Sequence, residues 1–244
     1  MKERIDVLLV DRGLVPSREK AQAFLMAGAV SVNGRLETKA GTRYETGAEI
    51  LLAADPVPYV SRGGLKLEGA LDAWDITLSG CVCIDIGAST GGFTDLMLQR
   101  GAIKVYAIDV GYGQLDYKLR IDPRVVNIER TNVRLLDPAG FPEKADFISV
   151  DVSFISLKLV LPVAKGLLKG GACLVALVKP QFEAERAQVG KGGIVRDDAV
   201  RGEVLQKVRG YAAAAGFAPD AVMESPIKGT KGNVEYLMLM RPEP

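Results

Sequence analysis

An apolar run at residues 82–86 leads directly into a glycine-rich loop, and few folds accommodate that combination. The run reads Val-Cys-Ile-Asp-Ile and predicts a buried strand, the loop at 87–92 reads Gly-Ala-Ser-Thr-Gly-Gly, and the spacing at 93–99 predicts a helix. Glycine allows the backbone of such a loop to approach a ligand closely and to expose its amide groups. The unit therefore indicates a nucleotide-like ligand at the carboxyl end of this strand.

Strands and helices alternate over the rest of the chain. Further strands are predicted at 104–109, 125–128, 147–151, 172–178 and 235–240, and helices around 155–168 and 198–215. This alternation is typical of the α/β class, in which helices cover both faces of a Rossmann-like, doubly wound sheet.

The first fifty residues follow a different pattern. Two helices are predicted at 5–12 and 18–26, with Ser17 as the N-cap of the second. A strand at 29–32 is closed by Asn33-Gly34, the preferred two-residue hairpin turn, and a second strand is predicted at 47–53. This segment reads as a small α+β domain.

The Asp-Pro-Val-Pro sequence at 55–58 interrupts regular structure and marks a domain boundary. We divide the chain into a small domain at 1–54, a semi-rigid linker at 55–62 and a large domain at 63–244. The charged first residues do not fit a signal peptide, and the longest strongly apolar run, 172–178, is too short to span a membrane. We therefore expect a cytoplasmic protein with no membrane partner.

Composition excludes several kinds of chemistry. The chain has no histidine, which excludes Ser-His-Asp hydrolysis, Cys-His proteolysis and His-ligated zinc. Its three cysteines, Cys81, Cys83 and Cys173, supply neither a disulfide framework nor a four-ligand metal site, so no metal is expected. The formal net charge is +1, so any nucleic-acid binding must depend on local basic clusters.

The glycine loop and the next strand together suggest a cofactor. The loop lacks the lysine of phosphate-cradling loops and departs from the Gly-x-Gly-x-x-Gly spacing. Asp109 ends the next strand, where a carboxylate can accept both ribose hydroxyls of an adenosine. Loop and acid fit S-adenosylmethionine, although a tight turn and an ordinary strand-end aspartate are the alternative. Asp85 is a secondary candidate, which would fix the loop or orient the methionine ammonium group through a water.

Four polar residues are expected where buried strand ends meet loops: Lys66, Asp151, Lys179 and Glu235. The carboxyl ends of neighbouring strands in a doubly wound sheet converge on one crevice. Asp151 and Lys179 each close an apolar strand and should face the same ligand. The placement of Lys66 and Glu235 there requires further assumptions.

These residues lie in motifs that resemble a known family along nearly the whole chain. The motifs are Ser-Arg-Gly-Gly-Leu-Lys at 61–66, Asp-Ile-Gly-Ala-Ser-Thr-Gly-Gly-Phe-Thr-Asp at 85–95 and Val-Lys-Pro-Gln-Phe-Glu at 178–183. In this order they resemble the TlyA family of ribosomal RNA 2′-O-methyltransferases, whose catalytic domain is similar to the FtsJ methyltransferase. The resemblance implies a methyltransferase sheet preceded by a small RNA-binding domain of the α-L type.

The resemblance also implies roles for individual residues. The four polar residues resemble the superfamily's Lys-Asp-Lys-Glu tetrad, in which Lys179 would help to remove the proton of a ribose hydroxyl and Asp151 would steer it. S-adenosylmethionine is the implied cofactor. Its candidate contacts, from the loop and from the resemblance together, are Asp85, Gly87, Ala88, Ser89, Gly91, Gly92, Phe93, Asp109, Asn132 and Asp151.

Ribosomal RNA or ribosomal subunits are the partners that the resemblance implies. The expected substrate nucleotide is a cytidine, with large-subunit RNA favoured and small-subunit RNA left open. Lysines and arginines of the small domain and of glycine-rich loops can contact RNA phosphates. On charge alone a solvated helix face would explain those in the small domain equally well. The candidate RNA contacts are Arg18, Lys20, Arg35, Arg62, Lys191, Lys228 and Lys231. The sequence gives no indication of the oligomeric state.

Alternative functions fit the sequence less well. An exocyclic-amine methyltransferase should carry an Asn/Asp-Pro-Pro-Tyr/Phe turn where this chain has Asp-Val-Ser-Phe at 151–154, and cytosine carbon-5 methylation needs a nucleophilic cysteine at a strand end. A haemolysin or pore-forming protein, a label that some relatives carry, needs an apolar or amphipathic membrane segment. A non-catalytic RNA-binding assembly factor is a further alternative, but it would not need to keep the tetrad.

Overall fold

The computed structural model describes residues 2–53, 57–229 and 231–243, and its contacts divide the chain into two units, Met1–Pro58 and Tyr59–Pro244. The predicted linker at 55–62 falls partly outside the described residues, since Asp55 and Pro56 are not among them. Each unit has its own apolar core.

The first unit contains two helices and two small antiparallel sheets. Its elements are β1 (Lys2–Arg4), α1 (Ile5–Asp11), α2 (Arg18–Met26), β2 (Val30–Val32), β3 (Arg35–Leu36), β4 (Arg43–Glu45) and β5 (Ile50–Leu52). One sheet has the order β3-β2-β5, and the other pairs β1 with β4. Both predicted helices and the strands at 30–32 and 50–52 are present. The pair β1 and β4 was not predicted, because these short polar strands carry no apolar alternation.

Individual side chains explain a helix start, a hairpin turn and a buried charge cluster in the first unit. Ser17 caps α2 by accepting a hydrogen bond from the backbone N–H of Lys20. Asn33 and Gly34 have φ values of 51° and 74°, as a two-residue hairpin turn between β2 and β3 requires. Asp6 is fully buried and pairs with Arg4 and Arg18 at 2.9 and 2.8 Å, which holds the pKa of its carboxyl well below the ordinary value.

The second unit is built on a seven-stranded sheet. Its elements are α3 (Gly63–Ala73), β6 (Val82–Ile86), α4 (Gly92–Gln99), β7 (Lys104–Ile108), α5 (Tyr117–Arg120), β8 (Val125–Ile128), β9 (Ala145–Val150), α6 (Leu161–Leu167), β10 (Leu168–Val178), α7 (Pro180–Glu183), α8 (Asp198–Ala214), β11 (Phe217–Glu224) and β12 (Tyr236–Pro242). The strand order is β11-β12-β10-β9-β6-β7-β8. The five strands from β10 to β8 are parallel, whereas β12 and β11 are antiparallel to their neighbours.

Apolar side chains project from both faces of this sheet. Within β6, Ile84 belongs to a cluster with residues of α6 and α8, while Cys83 belongs to a second cluster with residues of α3 and α4. Alternate residues of one strand therefore serve opposite layers, as the pleat dictates. The predicted α/β class and doubly wound sheet are confirmed.

Four elements of the second unit were not predicted: helix α3, the short helices α5 and α7, and strand β11. Helix α3 buries Gly64, Leu67, Ala70 and Leu71 along one face, but the glycine pair at its start obscures the helical pattern. A Cβ at Gly64 would lie 2.3 Å from the Tyr59 ring, so close packing explains the glycine. Strand β11 is only partly buried and was missed for that reason.

Asp85 is the fourth of the five residues of β6 and is completely buried. Its two carboxylate oxygens accept hydrogen bonds from the hydroxyls of Thr94 and Ser149, at 2.7 and 2.9 Å. Burial raises the pKa of Asp85 to about 6, although the two hydrogen bonds act in the opposite direction. Asp85 thus connects β6 to α4 and β9 through hydrogen bonds, close to the start of the glycine loop.

We predict that Asp85→Asn changes the pH dependence of stability. The pKa of Asp85 is about 6 in the folded protein and ordinarily 3.8, so the folded state binds more protons between these values. The contribution of Asp85 to stability is therefore lost as the pH rises through about 6. As the pH rises from about 4 to about 7, the unfolding free energy of the variant should increase by up to about 3 kcal/mol relative to that of the wild-type protein. Denaturant unfolding at a series of pH values measures this difference, and a constant difference would contradict the prediction.

Candidate active site

Two adjoining cavities open at the carboxyl ends of the parallel strands. The first has a volume of about 410 Å³ and extends from the ends of β6 and β7 toward Asn132. The second has a volume of about 460 Å³ and extends toward Lys179 and Glu235. Five residues line both cavities: Gly87, Ser89, Asp151, Ser153 and Phe154. A group bound in the first cavity can therefore reach one bound in the second.

Asp109 follows β7 and lies on the wall of the first cavity, where the sequence placed it. Its two carboxylate oxygens accept hydrogen bonds from the backbone N–H groups of Ser89 and Gly111, at 2.8 and 2.6 Å. These bonds fix the carboxylate against the glycine loop. Each oxygen retains a second lone pair for a ligand hydroxyl.

The glycines of the loop are required by protein packing. A Cβ at Gly87 would lie 2.4 Å from the Asp151 carbonyl oxygen, and one at Gly92 would lie 2.3 Å from the Ser61 hydroxyl. At Gly91 it would lie 2.2 Å from the Leu119 side chain. Gly87 and Gly91 also have positive φ values of 88° and 96°. Packing is therefore a reason for these glycines that the sequence did not show, beside the approach of a ligand, and Gly87 also lines both cavities.

The predicted cofactor residues fall into two groups. Asp109, Asn132, Asp151, Gly87 and Ser89 line the first cavity. The others lie outside the lining of both cavities, and Asp85 and Phe93 are buried in the core; these residues are Asp85, Ala88, Gly91, Gly92 and Phe93.

The four residues predicted for catalysis all line the second cavity and form two ion pairs. Lys66 Nζ lies 2.6 Å from Glu235 Oε2, and Lys179 Nζ lies 2.5 Å from Asp151 Oδ1. Lys179 also donates a hydrogen bond of 2.9 Å to the Ser153 hydroxyl. The side chain of Glu235 is only 3% exposed and that of Lys179 10%.

These side chains come from four separate segments of the second unit. Asp151 follows β9 and Lys179 follows β10, as expected, so the parallel pairing of these strands brings them together. Glu235 precedes β12, whose antiparallel direction returns the chain to the same edge. Lys66 lies within helix α3, and its expected place at a strand end was wrong.

The segment after Asp151 contains features that the sequence analysis missed. Phe154 has a φ of 62° and is 90% exposed, with its ring centroid 4.8 Å from that of Phe182. Buried Glu183 anchors this segment by accepting hydrogen bonds from the Ser156 hydroxyl and the Leu157 N–H, both at 2.7 Å. Burial raises the pKa of Glu183. The sequence analysis included Glu183 only as the last residue of the motif at 178–183 and assigned it no role.

The candidate RNA contacts differ in their surroundings. Arg18 pairs with buried Asp6, and Lys20 Nζ donates to the carbonyl oxygen of Val57. Both side chains therefore also serve the first unit's own structure. The remaining candidates are exposed, and Lys231 lines the second cavity; they are Arg35, Arg62, Lys191, Lys228 and Lys231.

Residues 2–53, 57–229 and 231–243 contain neither a metal-binding cluster nor a membrane-spanning helix. These residues contain no group of three or more cysteine, aspartate or glutamate side chains placed to hold a metal ion. Among the helices of the same residues, none combines the length and apolarity that crossing a bilayer requires.

Comparison with known proteins yields matches to both units. Residues 59–241 match the FtsJ-like methyltransferase family and residues 3–50 match the S4 domain. "Putative rRNA methyltransferase YqxC" of Bacillus subtilis is 50% identical over 97% of this chain and 85% of that protein. "16S/23S rRNA (cytidine-2'-O)-methyltransferase TlyA" of Mycobacterium tuberculosis is 44% identical over 98% and 90%, respectively. The solved structure "Putative hemolysin from Streptococcus thermophilus" has a TM-score of 0.77 and 47% identity, covering 99% of this chain and 89% of that one.

We predict that Gly87→Ala destabilises the protein far more than Gly80→Ala. The two glycines have similar φ values, 88° and 77°, but a Cβ at Gly80 would meet nothing within 4 Å. The left-handed conformation costs an alanine about 1–2 kcal/mol at either position. Only Gly87→Ala adds a clash with the Asp151 carbonyl oxygen, so its loss of unfolding free energy should exceed that of the control at least about twofold. Equal losses in thermal or denaturant unfolding would refute the packing role.

Proposed function

The chain belongs to the family of FtsJ-like methyltransferases that carry an N-terminal S4 domain, and on that premise we propose that it methylates ribosomal RNA. The proposed reaction transfers a methyl group from S-adenosylmethionine to the ribose 2′-hydroxyl of a cytidine. The matches confirm the resemblance drawn from the sequence motifs. The Mycobacterium tuberculosis relative is named for this activity on 16S and 23S rRNA. Such a substrate is found in the cytoplasm.

The first cavity has the size and chemistry to hold the cofactor. Its volume of about 410 Å³ lies in the range of small-molecule sites. Asp109 would accept the ribose hydroxyls of the adenosine, and apolar side chains such as Ile108 and Val133 would contact the adenine. Asn132 offers an amide at the same wall. When bound, S-adenosylmethionine supplies a methyl group that its sulfonium already activates.

The second cavity supplies what a ribose hydroxyl needs. A 2′-hydroxyl is a weak acid and a poor nucleophile, so the protein must align it and assist the loss of its proton. Lys179, held between Asp151 and Ser153, would accept this proton when neutral or stabilise the developing oxygen charge as an ammonium group. Lys66, fixed by Glu235, would orient the hydroxyl. General-base assistance typically contributes about 10² to 10⁴ in rate.

One observation supports this proposal above all others. Two partly buried lysine-carboxylate pairs, Lys66 with Glu235 and Lys179 with Asp151, face one cavity that adjoins the proposed cofactor cavity at Asp151. A single surface ion pair contributes little to stability and would have no functional meaning. A non-catalytic RNA-binding protein would not need two such pairs beside a cavity.

Other methyl acceptors are disfavoured by the same site. Cytosine carbon-5 methylation needs a reactive thiolate, but Cys173 is buried within β10 and burial raises the pKa of its thiol. Exocyclic amines are methylated beside an Asn/Asp-Pro-Pro-Tyr/Phe turn, whereas the segment after β9 reads Asp-Val-Ser-Phe. The ribose hydroxyl is the acceptor that fits the tetrad.

The proposal is tested by incubating the purified protein with methyl-labelled S-adenosylmethionine and unmodified ribosomal subunits. Nuclease digestion and mass spectrometry then locate the label. We expect label on the 2′-oxygen of a cytidine, with large-subunit RNA as the favoured substrate. Label on a base, or no transfer to either subunit or free RNA despite cofactor binding, would refute the proposed reaction.

We predict that Lys179→Ala lowers the rate of transfer at least about 100-fold, because the hydroxyl loses the group that accepts its proton or stabilises its developing charge. The Kd for S-adenosylmethionine should stay near the wild-type value, since Lys179 does not line the first cavity. Lys179→Arg keeps a positive charge without a ready proton acceptor and separates the two possible roles. The exposed Lys144 provides the control Lys144→Ala, and undiminished turnover of Lys179→Ala would contradict the assignment.

We predict that Arg35→Ala weakens RNA binding through the loss of a phosphate contact. Arg35 lies exposed on β3 of the first unit. Removing one such contact should reduce the slope of log K against log salt concentration by about 1. Binding of a ribosomal RNA fragment at several salt concentrations measures the slope, and an unchanged slope would exclude Arg35 from the RNA interface.

A further inference from the structure

Gln181 lines the second cavity together with the two ion pairs without belonging to either. It is the second residue of the one-turn helix α7, which begins immediately after Lys179. A backbone hydrogen bond from the Phe182 N–H to the Lys179 carbonyl oxygen closes this turn at 2.9 Å. The backbone positions of Lys179 and Gln181 are therefore fixed relative to each other.

The amide of Gln181 contacts the carboxylate of Glu235. Gln181 Nε2 donates a hydrogen bond of 3.2 Å to Glu235 Oε1, while Lys66 holds Oε2 of the same carboxylate. An ionised carboxylate only accepts, so the contact also fixes which end of the amide faces Glu235. Gly229 closes a further side of the carboxylate, because a Cβ there would lie 2.4 Å from Oε1.

This contact leaves the oxygen of the Gln181 amide without a hydrogen-bond donor. Gln181 Oε1 is buried and accepts no hydrogen bond from any residue that the structure describes. Buried unpartnered acceptors are uncommon and unfavourable, and those that native proteins retain call for an explanation. An apolar side chain of similar size, such as methionine, would avoid the orphaned oxygen. Stability alone therefore does not account for a glutamine here.

We propose that Gln181 is a positioning residue of the methyl-transfer site. It holds the Glu235 carboxylate toward Lys66 and links the Lys66 pair to the turn that carries Lys179. The two lysines then keep one fixed separation across the cavity that receives the reacting hydroxyl. This inference rests on the proposed function and adds to it a residue outside the tetrad.

The first test is Gln181→Met, with kcat, KM and thermal unfolding measured together. The variant removes the donor to Glu235 and also the orphaned acceptor. We expect kcat to fall about 10- to 100-fold, since misplacement of groups near a reacting centre costs that much. The KM for RNA and the Kd for S-adenosylmethionine should stay near their wild-type values. The Tm should stay at or above the wild-type value. An unchanged kcat, or a loss of kcat matched by a loss of Tm, would overturn the proposal.

The second test is Gln181→Glu, with Gln206→Glu on the exposed face of α8 as the matched control. Two carboxylates in contact cannot both ionise readily, so the variant pair should share a proton at low pH. The shared proton restores a donor to Glu235. The ratio of variant to wild-type kcat should therefore rise as the pH falls from about 8 to about 6. A ratio independent of pH would contradict the positioning role.

The same variant separates this inference from the proposed function. A wild-type protein that methylates no RNA would refute the function. The contact between residues 181 and 235 can still be read from unfolding, because a raised carboxyl pKa in the folded state makes stability fall as the pH rises. The Tm deficit of Gln181→Glu should widen with increasing pH. A deficit that is constant, like that of the Gln206→Glu control, would show that the two side chains are not coupled.

Discussion

The parallel pairing of β6 with β7 on one side and β9 on the other brings three strand ends to one edge of the sheet. The contact is tight at one point: the Asp151 N–H donates to the Ile86 carbonyl oxygen, and Gly87 packs against the Asp151 carbonyl. A side chain at position 87 would push the ends of β6 and β9 apart. Both cavities meet at this junction, so the proposed cofactor site and the proposed acceptor site depend on the same backbone contact.

The reactive groups of the site come from distant parts of the chain. Lys66 belongs to a helix before the first sheet strand, and Glu235 precedes the last. Their ion pair at 2.6 Å joins the two ends of the second unit, with Gln181 as a third partner. Each lysine is positioned by a carboxylate, buried in the case of Glu235 and partly exposed in the case of Asp151. Groups held in place in this way can align a hydroxyl with little reorganisation.

The sequence predicted the sheet and most of the site because these depend on local patterns. Apolar runs gave the parallel strands, and Asp109, Asp151 and Lys179 were found because they directly follow such runs. Lys66 was found by motif but misplaced, since two glycines hide the helix that carries it. Phe154 and Gln181 carry no periodic signal, and their roles arise from contacts between segments far apart in sequence. The loop glycines were recognised, but the atoms that require them belong to Asp151, Ser61 and Leu119, which only the folded chain brings close.

We propose that the two adjoining cavities bring an activated methyl group to a hydroxyl held by the tetrad. A crystal structure with S-adenosylmethionine bound would show whether they do. We expect the adenosine in the first cavity, with its ribose hydroxyls on Asp109 and the methyl group directed into the cavity lined by Lys66 and Lys179. Adenosine bound elsewhere, or a methyl group directed away from the two lysines, would contradict it.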